Sequence, residues 1–206
     1  LIEATLIFAV FFLPGYLLQR AGFSYTSLFD PGYVSSYLIS VIPQVLLIVY
    51  LLLKRGENEL YGLNRIRLKH MYAGILILLL LLVFAIIASK FSTPIEYTPT
   101  RLGISLVALL LLSSIATGYR EELFFRSMFF NAIHTQGVPV HTSIVIVSLI
   151  FALGHIYQGA IAFIGTLCMA VMLQWHFHRY RSVHVIACAH GLYNFIILIS
   201  RSIGAS

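Results

Sequence analysis

Residues 71–89 read MYAGILILLLLLVFAIIAS, an uncharged run dominated by leucine and isoleucine. As a helix it spans about 28 Å at 1.5 Å per residue, close to the ~30 Å hydrocarbon core of a bilayer. A helix that is apolar on every face belongs either in the middle of a large protein or in lipid. A chain of 206 residues has no core wide enough to surround it. The rest of the chain agrees: 60% of residues are hydrophobic, 10% are charged, and the mean hydropathy is +0.94. Soluble domains carry about 25% charge. The fold class is therefore all-α, a polytopic transmembrane helix bundle.

Working outward, seven spans are expected, at about residues 1–18, 34–53, 71–89, 101–133, 141–154, 160–178 and 183–200. An eighth short or re-entrant segment is the alternative count. Pro14-Gly15 predicts a kink or break near the end of the first span, and Asp30-Pro31-Gly32 predicts a turn before the second. Pro94 and Pro99 mark the loop before the fourth span, and Gly137 and Pro139 mark the turn after it. No repeat, low-complexity tract or long linker divides the chain. Residues 1–206 read as one integral membrane domain whose chemistry lies in about 101–200.

The formal charge is +6, but the basic residues sit in short clusters between apolar runs. They offer no continuous face for nucleic acid. The most basic connections, Lys54–His70 and Arg179–Arg181, fall on the same side of alternating spans. The positive-inside rule places that side, with the N-terminus, in the cytoplasm. Cys168 and Cys188 lie in apolar runs and suggest no disulfide. The chain reads as a multi-pass protein of a prokaryotic cell membrane, its polar site opening to the cytoplasmic side.

Against this background one tract stands out: Gly118-Tyr119-Arg120-Glu121-Glu122-Leu123-Phe124-Phe125-Arg126. One charged side chain at the centre of a membrane helix costs about 2.5–3.5 kcal/mol on the insertion scale, so these groups need partners. Glu122 and Arg126 are spaced i,i+4 and share a helix face. Glu121 points about 100° away, with no cation evident on its own helix face and with Gly118 one turn earlier leaving space. His190 and Asn194 are also i,i+4, beside the small residues Ala187 and Gly191 that permit close helix approach. Phe151 and His155 share a face by the same spacing. Glu122 lies roughly 18 Å from His134, His155 roughly 21 Å from His141, and His190 and Asn194 roughly 12 and 18 Å from Ser182. Three helices thus deliver polar groups to one level. His134, His141, His176, His178 and His184 fall in turns or at interfaces and read as non-catalytic.

Glu121-Glu122-Leu123-Phe124-Phe125-Arg126, Phe151-Ala152-Leu153-Gly154-His155 and His190-Gly191-Leu192-Tyr193-Asn194 resemble, in order, the three motifs of the CPBP intramembrane endopeptidases. That family includes the type II CAAX prenyl proteases and bacteriocin-processing proteins. The resemblance covers about Arg101–Asn194; the first hundred residues carry no motif. It implies that Glu121 is a general base activating a water that His155 helps to hold. Glu122 would pair with Arg126, and Asn194 with His190 would stabilise the oxyanion. The implied substrate is a membrane-associated peptide, prenylated or otherwise lipid-modified or plain, that reaches the site from the bilayer. A metal-free mechanism with no cofactor is the reading adopted, because no His-Glu-x-x-His helix is present; zinc is the alternative. A non-proteolytic scaffold or chaperone using the same polar cluster, and an ion-coupled transporter, are the competing functions.

Overall fold

A computed structural model describes residues 1–18, 28–64, 68–90 and 102–203. Among the described residues the chain forms seven helices and no strand. They are α1 (residues 2–18), α2 (Pro31–Lys54), α3 (Leu68–Ser89), α4 (Ile104–His134), α5 (Val140–Leu153), α6 (Ala160–Tyr180) and α7 (Val183–Ile203). Large apolar side chains face outward along them, among them Ile104 (91% exposed) and Ile39 (74%). That surface suits lipid and not water.

The seven expected spans correspond to the seven helices, but only five are long and apolar enough to cross a bilayer. Residues 2–17 of α1 and the 14 residues of α5 fall short. Helix α5 reaches about 21 Å, then breaks into a turn and a single 3-10 turn, Ile156–Gln158. Gly159 closes the break with φ 98°, a conformation that glycine adopts without a steric penalty. His155 therefore lies just past the end of a helix too short to cross a bilayer.

Two other expectations change. Helix α1 does not stop at Pro14-Gly15; it continues to residue 18 after a π-helical turn at Phe8–Phe12. Pro14 has no N–H to offer residue 10, and the wider turn just before it accommodates the missing bond. Asp30-Pro31-Gly32 is a helix start and not a free turn: the Asp30 carboxylate accepts from the Tyr33 amide at 2.7 Å, with Pro31 as the first helical residue. Residues 19–27 lie outside the described residues, as do the loop with Pro94 and Pro99 and Arg101. So do Arg65 and Arg67 of the basic loop.

Helix α4 is continuous over 31 residues but has a π-helical middle, Leu123–Phe129, that begins directly after the two glutamates. Phe124 and Phe125 from this stretch pack on Phe12 of α1, with ring centroids 4.6 and 5.1 Å apart, and Phe125 packs edge-on against Phe151 of α5 at 5.0 Å. The end of α4 is tied to the loop after α2. Ser127 donates to the Tyr61 carbonyl at 2.7 Å, and Asn131 donates to that of Leu60 at 3.2 Å. Arg181, between α6 and α7, donates to Leu60 O at 3.0 Å and to Asn131 at 2.8 Å. The two most basic connections therefore meet at one end of the bundle, as alternating spans require. An Arg55–Glu3 ion pair brings the start of α1 to the same end.

Trp175 is 60% exposed, but His176 is buried against Tyr180, with ring centroids 4.7 Å apart. Cys168 is exposed and Cys188 partly buried, and both are free thiols.

Candidate active site

The site begins with the contact between α4 and α7, which is close because both helices lack a side chain there. A Cβ on Gly118 would lie 2.5 Å from the Ala187 carbonyl oxygen and 2.9 Å from the Gly191 nitrogen. A Cβ on Gly191 would lie 2.8 Å from the Ile115 Cα and 2.9 Å from the Ser114 oxygen. Gly118 therefore opens no space for Glu121; it seats α7 against α4.

One turn on, that contact brings three of the motif residues together. Arg126 Nε donates to Glu122 Oε2 at 2.9 Å, and His190 Nδ1 meets Glu122 Oε1 at 2.8 Å. All three side chains are buried, Glu122 and Arg126 completely. The rest of the Arg126 guanidinium lies over the Phe151 ring, 4.8 Å from its centroid, and among the described residues neither Nη has a hydrogen-bond partner. A cation desolvated over an aromatic face gains up to ~2 kcal/mol, which offsets part of the loss of water.

Glu121 lies on the other side of His190, with His190 Nε2 3.8 Å from Glu121 Oε2. The expectation that Glu121 has no cation of its own is overturned: Arg120 Nη2 reaches Glu121 Oε1 at 3.3 Å. Sequence spacing hid this pair, since neighbours at i,i+1 do not share a helix face. The long arginine folds back, its guanidinium 5.1 Å from the centre of the Phe12 ring. The resulting order is Arg120, Glu121, His190, Glu122, Arg126, an alternation in which each carboxylate lies between a guanidinium and one imidazole.

The hydrogen bonds fix the ring states. A carboxylate only accepts, so His190 Nδ1 carries a hydrogen and donates it to Glu122. His155 Nδ1 faces the Phe151 carbonyl at 3.2 Å and must donate as well. In neutral His155 the Nε2 lone pair is then free to accept. The His155 ring lies 5.1 Å from that of Phe151, and Phe151 touches His190 at 6.1 Å between centroids. Asn194 is half-buried on α7, one turn beyond His190.

Among the described residues no three His, Cys, Asp or Glu side chains are grouped so that they would hold a metal ion. Both histidine Nδ1 atoms are bonded to oxygens and Glu122 is held by Arg126 and His190, while neither Nε2 makes a hydrogen bond among the described residues. Glu121 and the two Nε2 atoms are the donors that a zinc ion at this site would have to use.

Residues 103–196 match the model of the family described as Type II CAAX prenyl endopeptidase Rce1-like. No curated protein and no solved structure matches the chain. The matched segment runs from the start of α4 to just past Asn194 and contains all six motif residues; Phe12 and Tyr16 lie outside it. The segment, a little under half of the chain, is similar to that family, and the chain is a multi-pass helical membrane protein.

Proposed function

From that similarity, we propose that the chain is an intramembrane endopeptidase in which Glu121 activates a water against a peptide bond of a membrane-associated substrate. Glu121 Oε2 takes a proton from the water while His155 Nε2 accepts the water's other hydrogen. The hydroxide adds to the scissile carbonyl carbon. The Asn194 amide and His190, as an imidazolium with a hydrogen on Nε2 as well as the one given to Glu122, donate to the resulting oxyanion, as hydrogen-bond donors of this kind do for ~2.7–4 kcal/mol each. The C–N bond then breaks, and the proton held by Glu121 passes to the leaving amine. Glu122 takes no proton in this scheme; with Arg126 it holds His190.

The observation that carries the reading is the unequal treatment of the two glutamates. Glu122 is sealed, with 0% of its side chain exposed, while Glu121 keeps 12% of its side chain accessible beside an imidazole. A base must reach a water, and only Glu121 has that access. The substrate is proposed as a lipid-modified or membrane-spanning peptide, reaching the site from the cytoplasmic leaflet of a prokaryotic membrane.

The test uses purified protein in proteoliposomes with a panel of prenylated and unmodified reporter peptides, comparing wild type with Glu121→Gln. Cleavage that the substitution abolishes supports the assignment; equal cleavage by both refutes it. Activity lost to a chelator and restored by zinc would overturn the metal-free scheme.

A further inference from the structure

One side chain outside the matched segment is bonded to the turn that carries His155. The Tyr16 hydroxyl on α1 donates to the Ile150 carbonyl in the last turn of α5, at 3.1 Å. Its ring lies against Gly154: a Cβ there would stand 2.4 Å from two ring carbons and 2.7 Å from the phenol oxygen. Phe8 holds the ring edge-on, with centroids 5.5 Å apart and planes at 89°.

The position matters because α5 is too short to cross a bilayer, and the last carbonyls of a helix that water does not reach need protein donors. The Gly154 amide bonds Phe151 O at 3.2 Å and the His155 amide bonds Ala152 O at 2.9 Å, both tightened i→i−3 contacts. Two side chains complete the turn: His155 Nδ1–H on Phe151 O, and the Tyr16 hydroxyl on Ile150 O. We propose that Tyr16 is a positioning residue. By fixing the last turn of α5, it fixes the plane of the His155 ring and so the direction in which the bare Nε2 points. Its own hydrogen is committed to Ile150, so it acts through α5 and not on the substrate. The inference rests on His155 as the water's acceptor, and it extends the site to a helix that carries no family motif.

Tyr16→Phe keeps the ring on Gly154 and Phe8 and removes only the hydroxyl. A hydrogen bond of this kind is worth about 0.5–1.5 kcal/mol, so kcat should fall up to about tenfold. KM should stay within about twofold, and the unfolding midpoint should fall only by the small amount that one hydrogen bond contributes, since the packing is retained. In a His155→Gln background the same substitution should cost nothing further, because its effect passes through that ring. Gly154→Ala, which displaces the ring, should reproduce the kcat loss. Hydrogen–deuterium exchange of residues 151–158 should quicken in Tyr16→Phe. Unchanged kcat in Tyr16→Phe, or an additive loss in the double variant, would overturn the proposal. Should wild type cleave no reporter, the protease reading fails by itself. The exchange measurement then decides Tyr16 alone: quickened exchange sustains the positioning role and unchanged exchange overturns it.

Discussion

Gly118→Ala adds one methyl at the point where α4 and α7 touch, and its consequence can be worked out from the contacts. The new Cβ would lie 2.5 Å from Ala187 O, 2.9 Å from Gly191 N and 3.1 Å from Gly191 Cα. All three are backbone atoms, so no rotamer change relieves the contact. An ordinary C···O approach is about 3.3 Å, so the helices must separate by roughly 0.8 Å. One turn away, the 2.8 Å bond between His190 and Glu122 would lengthen to about 3.6 Å, beyond hydrogen-bonding range. Overpacking costs about 1–3 kcal/mol, and a bond to a charged group is worth about 1.5–3 kcal/mol. Alanine returns up to ~1 kcal/mol of helix propensity. The net loss is expected near 3 kcal/mol. Gly15→Ala is the control, since a Cβ there meets nothing within 4 Å. Denaturant unfolding in mild detergent, with reporter cleavage in parallel, should show Gly118→Ala destabilised and nearly inactive and Gly15→Ala unaffected. A Gly118→Ala protein as stable and active as wild type would refute the claim that the glycine contact seats the cluster.

Arg126→Met should destabilise by about 3–5 kcal/mol, because it leaves Glu122 buried without its cation; adding Glu122→Gln should recover part of that loss in the same unfolding assay. Arg120→Gln should lower kcat/KM about tenfold, the scale of one charge-assisted hydrogen bond, and Arg120→Lys should retain more activity than Arg120→Gln because a cation remains beside Glu121. If both Arg120 variants lose activity equally, packing on Phe12 and not charge is what the residue supplies.

Much of the fold was legible because a bilayer imposes length and polarity directly on sequence. All seven helices were evident, and the i,i+4 pair of Glu122 and Arg126 formed as its spacing required. What remained hidden arose from irregular backbone and tertiary contact. The π-helical stretches at Phe8–Phe12 and Leu123–Phe129 leave no periodic signature, because aromatic residues serve α- and π-turns alike. The Arg120–Glu121 pair violates the face rule because a long, flexible side chain can turn back. Gly118 was read as room for a neighbouring carboxylate, whereas the structure uses it for interhelical contact; both need a missing side chain, and only the partner helix distinguishes them. Tyr16 lies more than a hundred residues from the carbonyl that it serves, a distance no local pattern spans.

The alternation of Arg120, Glu121, His190, Glu122 and Arg126 has an electrical consequence. Two guanidinium and two carboxylate groups sum to zero, so the buried cluster adds to the low-dielectric slab no more than the single charge of a protonated imidazole. A charge crossing the full membrane does work of about 2.3 kcal/mol per 100 mV. A proton passing from a bound water to Glu121 travels only ~3 Å of a ~30 Å layer, which limits the field's contribution to about 0.2 kcal/mol. Hydrolysis built on this cluster would therefore run at nearly the same rate in an energised cell as in a depolarised one.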